Sequence, residues 1–107
     1  MENNDSLTDR KINMLRLAHK AGKLKFGTDA FIKLSNLKKV DLVILAEDIS
    51  ENSEKKINNV AKKTHVKVLK FLDKKKYGII FNRNDTGVIS FQDRGFSEAF
   101  CRMFLID

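Results

Sequence analysis

The sequence predicts an α/β fold in which a mixed sheet of about four strands is sandwiched between helices. The first observation behind this prediction is that helical and extended patterns alternate along the 107 residues. The second is an unbroken apolar run at residues 42–46, which is typical of a strand covered on both faces. The third is the length, since 107 residues are enough for one hydrophobic core and too few for two. We therefore expect a single domain over residues 1–107.

The first half of the chain carries two helical patterns separated by a short extended piece. Residues 1–5 are expected to form a frayed tail before a helix that begins near Ser6 and stops at Gly22. Residues 24–26 form the extended piece, and Gly27 opens a second helix. The apolar stripe predicted for that second helix consists of Phe31, Leu34 and Leu37.

The apolar run ends at Glu47-Asp48, and the polar residues from Ser50 onward predict a third helix over residues 51–63. Its apolar stripe is thin, which predicts a helix on the surface; the stripe consists of Ile57, Val60 and Ala61. Residues 66–71 predict another strand. Because lysines interrupt it, we expect this strand to be more exposed than the first.

Residues 73–91 admit two interpretations. In the first, residues 77–81 and 88–91 are two strands joined by the polar turn at residues 82–87. In the second, Asp73 caps a helix that runs to residue 81, and only residues 88–91 form a strand. After either arrangement, Asp93 caps a last helix with a broad apolar face, made of Phe96, Ala99, Phe100, Met103 and Phe104.

Charge is the most informative feature of the composition. Lysine and arginine number 21 against 14 aspartates and glutamates, a formal net charge of +7. An excess of this size favours an anionic partner, of which nucleic acid is the commonest. The alternative is a basic surface that only assists solubility.

The sequence is not typical of a membrane-spanning, secreted or metal-binding protein. No apolar run approaches the roughly 20 residues that a membrane span needs, and residues 1–6 do not resemble a signal peptide. We therefore expect a cytoplasmic protein without a membrane partner. Cys101 is the only cysteine, and His19 and His65 have no companions at metal-ligand spacing, so we expect no internal disulfide and no metal site.

The start of the second helix is the first candidate site. Free N–H groups at a helix N-terminus suit phosphate, and Gly27 followed by Thr28 lets a ligand backbone come close. Asp29 and Lys33 share one helix face. Lys33 can donate to guanine edges or phosphates, whereas Asp29 can accept from a base amino or imino group. The alternative is an ordinary helix start with an Asp–Lys surface pair.

Adjacent carboxylates at Glu47-Asp48 are the second candidate. They are suited to acid–base catalysis or magnesium binding, but no nucleophile or further ligand accompanies them. One of them more plausibly caps the third helix or orients a basic side chain, since acids are common at helix starts. We therefore expect no enzymatic activity.

The polar loop at residues 82–87 is the third candidate. Its Arg83 and Asn84 bring guanidinium and amide groups that suit RNA backbone or splayed bases. The alternative is a polar loop without a special role. The lysine run at residues 74–76 lies nearby, one strand away from the candidate site, although most lysine runs are solvated faces.

Four stretches together resemble a known family: AGKLKFG at residues 21–27, the pair Gly27 and Lys33, LVILAEDIS at residues 42–50, and a Lys/Tyr-Gly turn at residues 74–78. They are similar to the kink-turn-binding ribosomal-protein superfamily, which includes the archaeal large-subunit ribosomal protein called seven-Ae. Within it, the chain resembles the bacterial YlxQ type, whose members also place an acidic residue and alanine after the glycine. The resemblance covers roughly residues 10–95.

The resemblance implies an α/β/α sandwich that binds kink-turn RNA without cofactor or catalysis, and it favours the helical interpretation of residues 73–81. We expect a monomer whose partner is structured RNA, with ribosomal RNA among the candidates. Asp29 and Ala30 stand where the family typically has asparagine and glutamate. Because an ionised Asp only accepts hydrogen bonds, we expect recognition of tandem G·A pairs to be weaker or to use other contacts. The alternative function is a protein-interaction module of the same fold.

The predicted RNA contacts come from three segments of the chain. Gly27 and Thr28 would present backbone donors to phosphate, and Ile49 would press against a base or sugar. Glu47 is expected to position a basic side chain rather than to touch RNA. The complete predicted site consists of Gly27, Thr28, Asp29, Lys33, Glu47, Ile49, Arg83 and Asn84.

Overall fold

The structure is a computed structural model that describes residues 3–84 and 87–106. Helices and strands alternate along these residues. The helices are α1 (Asn3–Lys20), α2 (Thr28–Asn36), α3 (Glu51–Thr64), α4 (Lys74–Phe81) and α5 (Arg94–Ile106). The strands are β1 (Leu24–Phe26), β2 (Leu42–Leu45), β3 (Lys67–Lys70) and β4 (Val88–Phe91).

The four strands form one mixed sheet in the order β1-β4-β2-β3. Strand β2 pairs in parallel with β3, whereas β4 runs antiparallel to both β1 and β2, with Ile44 opposite Ile89. The two inner strands are buried along their whole length, as the unbroken apolar run predicted for β2. Strand β3 lies at an edge, and its two lysines, Lys67 and Lys70, are exposed.

Alternate residues of β2 face opposite sides of the sheet and belong to two separate cores. Val43 and Leu45 pack with Phe31 of α2 and Ile57 of α3. Leu42 and Ile44 belong to the other core, with residues of α1, α4 and α5. Helices α2 and α3 therefore cover one face and α1, α4 and α5 the other, which confirms the predicted α/β/α sandwich.

The carboxyl ends of strands β1, β2 and β3 lie together at one end of the sheet, so helices α2, α3 and α4 all begin there. We call this the loop end; it comprises residues 27–28, 46–50, 71–74, 82–84 and 87–88. The opposite end of the strands, with residues 21–23, 37–41, 65–66 and 92–94, is the far end. Helices α1, α2 and α3 finish at the far end, where α5 begins, so helix C-termini outnumber helix N-termini there.

Helix α4 confirms the helical interpretation of residues 73–81 and contradicts the hairpin. Tyr77 and Phe81 are buried, whereas Ile79, which would share their face in a strand, is 73% exposed. The caps predicted at Asp73 and Asp93 are present, and Ser50, rather than Glu47 or Asp48, caps α3. Ser50 Oγ accepts from the Ser53 N–H at 3.2 Å, Asp73 Oδ1 from the Lys76 N–H at 2.8 Å, and Asp93 Oδ2 from the Phe96 N–H at 2.9 Å.

Two local expectations differ from the structure. Helix α1 already begins at Asn3, inside the tail expected at residues 1–5, because neither glycine nor proline interrupts residues 3–20; residues 1–2 lie outside the described residues. In α2, Leu37 is 55% exposed because the helix ends at Asn36, and Ser35 is buried instead. Among the described residues, no helix combines the length and the apolar character that a membrane span requires.

Candidate nucleic-acid interface

Backbone hydrogen bonds hold the segments of the loop end against one another. The Gly27 N–H donates to the Val88 carbonyl at 2.9 Å, which joins the start of α2 to the start of β4. The Ala46 N–H donates to the Gly87 carbonyl at 2.9 Å, and the Glu47 N–H to the Leu72 carbonyl at 2.7 Å. The three segments predicted from the sequence therefore meet at one rim, as expected for strand ends in an α/β sheet.

A cavity of about 300 Å³ lies between these segments, and we call it the rim cavity. Three residues of the predicted site line it: Gly27, Thr28 and Ile49. The other lining residues are Ser50, Ser53, Lys74, Gly87 and Val88. The rim cavity thus combines two apolar side chains, three hydroxyl groups and one ammonium group. Such a lining suits a flat apolar group with polar edges and a negative charge nearby.

Gly27 is the residue that leaves the start of α2 open. Its φ of 106° and ψ of 157° lie in a region that side-chain-bearing L-residues rarely adopt. A Cβ built there would meet no atom within 4 Å, so conformation rather than crowding explains the glycine. No side chain caps α2 at this position, and its first-turn N–H groups lie beside the rim cavity.

Lys74 is a functional candidate that the predicted site did not include. Its aliphatic chain lies against Gly87, where a built Cβ would be 3.4 Å from the Lys74 Cδ. Its backbone N–H donates to Asp48 Oδ1 at 3.0 Å, which ties the start of α4 to the end of β2. Asp48 thus stabilises the start of α4 and not that of α3, which Ser50 caps. The capping pattern at Asp73 predicted a helix start here, but only the sheet order brings Lys74 to the rim.

Glu47 is exposed and lies near the buried Tyr77. Burial raises the pKa of the Tyr77 hydroxyl, and the carboxylates of Glu47 and Asp73 raise it further. The hydroxyl donates to the Phe71 carbonyl, so Tyr77 stays neutral and holds the end of β3. Within residues 7–84 and 87–104, Glu47 forms no ion pair, so the basic side chain that it was expected to position is not seen there.

Arg83 and Asn84 line a second cavity of about 530 Å³, which we call the α4 groove. The lining residues of the α4 groove are Lys74, Lys75, Gly78, Ile79, Asn82, Arg83 and Asn84. Lys74 lines both the groove and the rim cavity, so the two form one continuous surface.

The Arg83 guanidinium lies 4.3 Å above the centre of the Phe26 ring, at the end of β1 and next to Gly27. Phe26 in turn packs edge-on against Phe81 at 5.1 Å between ring centres. These contacts hold the charge of Arg83 close to the start of α2 although the two lie more than fifty residues apart in sequence.

Asp29 and Lys33 are both exposed on α2 but line neither cavity. The described residues show no Asp29–Lys33 ion pair, so the alternative of a surface pair finds no support. Lys33 lies about 7.5 Å along the helix axis from Thr28. Because helical side chains tilt towards the N-terminus, the ammonium of Lys33 can reach the rim from that position.

Two acidic side chains of the loop end are hydrogen-bonded to the backbone. Asp48 and Asp73 both accept from backbone N–H groups in the first turn of α4. Their negative charge therefore offsets the helix dipole, and Asp73 Oδ2 also lies 3.9 Å from Lys76 Nζ. Across residues 3–84 and 87–106, no three His, Cys, Asp or Glu residues are grouped as metal ligands.

Comparison with known proteins gives one family. The model of the ribosomal protein L7Ae/L30e/S12e/Gadd45 family matches residues 11–100. A search of curated proteins finds no match.

Two solved structures share the fold. A Bacillus halodurans protein of unknown function has a TM-score of 0.82 at 25% identity, covering 87% of this chain and 94% of that one. A 15.5kD RNA-binding protein of Giardia lamblia has a TM-score of 0.72 at 20% identity, covering 92% of this chain and 84% of that one.

Proposed function

The chain belongs to the ribosomal protein L7Ae/L30e/S12e/Gadd45 family, and on that basis we propose that it is a non-enzymatic protein that binds kink-turn or similarly bent RNA. The observation that carries the proposal is the rim cavity, where the start of α2, the end of β2 and the residues before β4 meet. A sharply bent RNA brings phosphates and unstacked bases close together, and such a rim can contact both at once. The similarity to the Giardia lamblia RNA-binding protein agrees with this proposal.

The start of α2 binds phosphate in this proposal. The backbone N–H groups after Gly27 donate to phosphate oxygens, which the positive end of the helix dipole also attracts. Thr28 adds a hydroxyl at the same edge, and Lys33 donates to a guanine edge or to the phosphate beside it. Asp29, which can only accept, receives a hydrogen bond from a base amino or imino group.

The rim cavity holds an unstacked base or its sugar. Ile49 and Val88 supply apolar contacts, while hydroxyls and the Lys74 ammonium surround the polar edges. Arg83, stacked on Phe26, and Asn84 contact the strand on the other side of the bend. Glu47 lies at the border of this surface and shapes its charge without a direct base contact.

The proposal extends to the subgroup of the family and to the state of the protein in the cell. The acidic residue and alanine after Gly27 favour the bacterial YlxQ type. We expect a single-domain monomer in the cytoplasm, with ribosomal RNA among its candidate targets.

A binding titration tests the proposal with two RNAs of equal length, one with a kink-turn and one a straight duplex. The protein should prefer the kink-turn, and its affinity should fall as salt is raised. Lys33→Ala should weaken kink-turn binding by about 1–3 kcal/mol, as for loss of one good base contact. Lys63→Ala, at the far end, is the matched control and should bind like the wild type.

Equal affinity for the two RNAs would contradict recognition of the bend. Unchanged binding by Lys33→Ala would remove Lys33 from the site. Failure to bind either RNA at low salt, together with capture of a protein partner, would favour the protein-interaction module.

A further inference from the structure

The α4 groove has a composition that the rim cavity does not explain. Ile79 is the most exposed of the large hydrophobic residues described, at 73%. It stands among cations and amides, and none of the described residues that line the groove is acidic. An isolated exposed isoleucine needs no explanation, but one surrounded by three cations and two amides forms a surface of mixed chemistry.

The groove is a built feature and not a chance dip between side chains. The Arg83 N–H donates to the Gly78 carbonyl at 3.2 Å, and Asn82 adopts a left-handed conformation with a φ of 54°. The chain therefore folds back over the last turn of α4. A Cβ on Gly78 would lie 3.0 Å from the Arg83 carbonyl oxygen, so any larger residue at the floor of the groove would push that carbonyl aside.

The chemistry of the groove fits unpaired RNA better than a duplex. Lys75 and Arg83 suit phosphates, and the amides of Asn82 and Asn84 suit base edges. Ile79 suits the face of a base or a sugar, which a stacked duplex does not expose. A ligand that only needed charge would gain nothing from Ile79.

We propose that the α4 groove binds an unpaired strand of the same RNA where that strand leaves the bend. The proposal rests on the proposed function, because Lys74 joins the groove to the rim cavity and sets the path of the strand. It adds a second, sequence-tolerant contact to the grip on the bend. The bound RNA is then a kink-turn with an unpaired extension.

The experiment compares a blunt-ended kink-turn RNA with the same RNA carrying six unpaired nucleotides, on the 5′ end in one case and on the 3′ end in the other. One of the two extensions should increase the affinity of the wild type. The ratio of the affinities for the extended and the blunt RNA should be larger at about 0.1 M salt than at about 1 M salt, by about fivefold for each additional phosphate that the protein binds. The double variant Lys75→Gln/Ile79→Ser should lose the increase and keep its affinity for the blunt RNA. Both residues are exposed, so the variant should fold, which a thermal melt verifies.

The matched control is Lys63→Gln/Leu17→Ser, which removes an exposed lysine from α3 and an exposed leucine from α1, two helices that end at the far end. It should retain the increase from the extension. If neither extension increases wild-type affinity, or if the Lys75/Ile79 variant keeps the increase, this inference is wrong while binding of the bend stands. If the wild type binds no kink-turn RNA at all, the proposed function itself fails. If Lys75→Gln/Ile79→Ser binds every RNA like the wild type and loses affinity only for a protein partner, the groove is a protein-docking surface and the inference is also wrong.

Discussion

The two ends of the sheet carry cavities of similar size and opposite character. The far-end cavity, of about 340 Å³, is lined by Asp41, Leu42, Lys67, Arg94, Ser97, Glu98, Cys101 and Arg102. Its cations stand among acids, and Arg94 Nε lies 3.8 Å from Asp41 Oδ2. The rim cavity, of about 300 Å³, has Lys74 and no acid among the lining residues that the structure describes. Acids thus offset most of the cations in the far-end cavity, whereas the described lining of the rim cavity offers none to Lys74.

Helix dipoles make the contrast sharper. Helices α1 and α3 end at the far end with basic last turns, where cations stabilise the helix. Helix α4 begins at the loop end with Lys74, Lys75 and Lys76, where cations oppose the dipole. Stability explains the lysines at the far end, and Lys76 of α4 pairs with Asp73 at 3.9 Å. Stability does not explain Lys74 and Lys75. Residues placed against their local stability are expected at functional sites.

The largest expected effect compares the two glycines with a positive φ, one at each end. Gly27→Ala should lower the free energy of unfolding by about 1–3 kcal/mol and should also weaken RNA binding, because it disturbs the start of α2. Gly22→Ala, at the far end, should destabilise the fold by about 1 kcal/mol and leave RNA affinity unchanged. Urea unfolding and RNA titration measure both variants. Loss of RNA affinity in Gly22→Ala would contradict the claim that only the loop end binds RNA.

A pair of lysines tests the cavities themselves. Lys74→Ala should weaken binding of kink-turn RNA by about 1–3 kcal/mol, since Lys74 lines the rim cavity. Lys67→Ala removes the same charge from the far-end cavity and should have little effect. The measurement is a titration of both variants at two salt concentrations. Equal losses would mean that only net charge matters.

Tyr77 makes the stability of the fold depend on pH in the alkaline range. Its pKa is raised in the fold, chiefly by burial, so the unfolded state releases the proton first, near the ordinary value of about 10. The stability that depends on the neutral hydroxyl is fully present below that pH and declines as pH rises above it. Tyr77→Phe should lose about 1 kcal/mol near neutrality, because the hydrogen bond to Phe71 is absent.

Unfolding curves from pH 9 to 11 measure this effect. The wild type should lose stability faster than Tyr77→Phe above pH 10. Parallel curves would show that the tyrosine does not couple folding to pH.

The smallest effect distinguishes the helix dipoles. Lys75→Gln removes a cation from a helix start and should raise the free energy of unfolding by about 0.3–1 kcal/mol. Lys63→Gln removes one from a helix end and should lower it by a similar amount. Urea titrations at low salt resolve the two signs. The same sign for both variants would remove the electrostatic argument for function at α4.

Local patterns predicted much of the fold. The apolar run predicted that β2 is buried, and polar residues from Ser50 onward predicted the start of α3. A capping aspartate predicted the start of α5 and, in one of two interpretations, that of α4. The error at Leu37 is also local, because helix spacing was extended beyond the last turn of α2. Such features depend on neighbours within four residues, which a sequence displays directly.

The rest of the site depends on contacts that are distant in sequence. Lys74 reaches the rim through its hydrogen bond to Asp48, 26 residues away, and through the position of β4 between β1 and β2. The stacking of Arg83 on Phe26 likewise joins a late loop to the first strand. No periodicity or motif in the chain specifies these partners, so the rim cavity could be drawn only once the sheet order was known.

Chemical-shift mapping of the isotope-labelled protein tests the contrast between the two ends most directly. On addition of kink-turn RNA, amide signals of residues 27–29, 47–50, 74–75 and 82–84 should move. Signals of residues 39–41, 63–67 and 92–94 should stay in place. The largest changes at the far end, or changes spread evenly over both ends, would contradict the account.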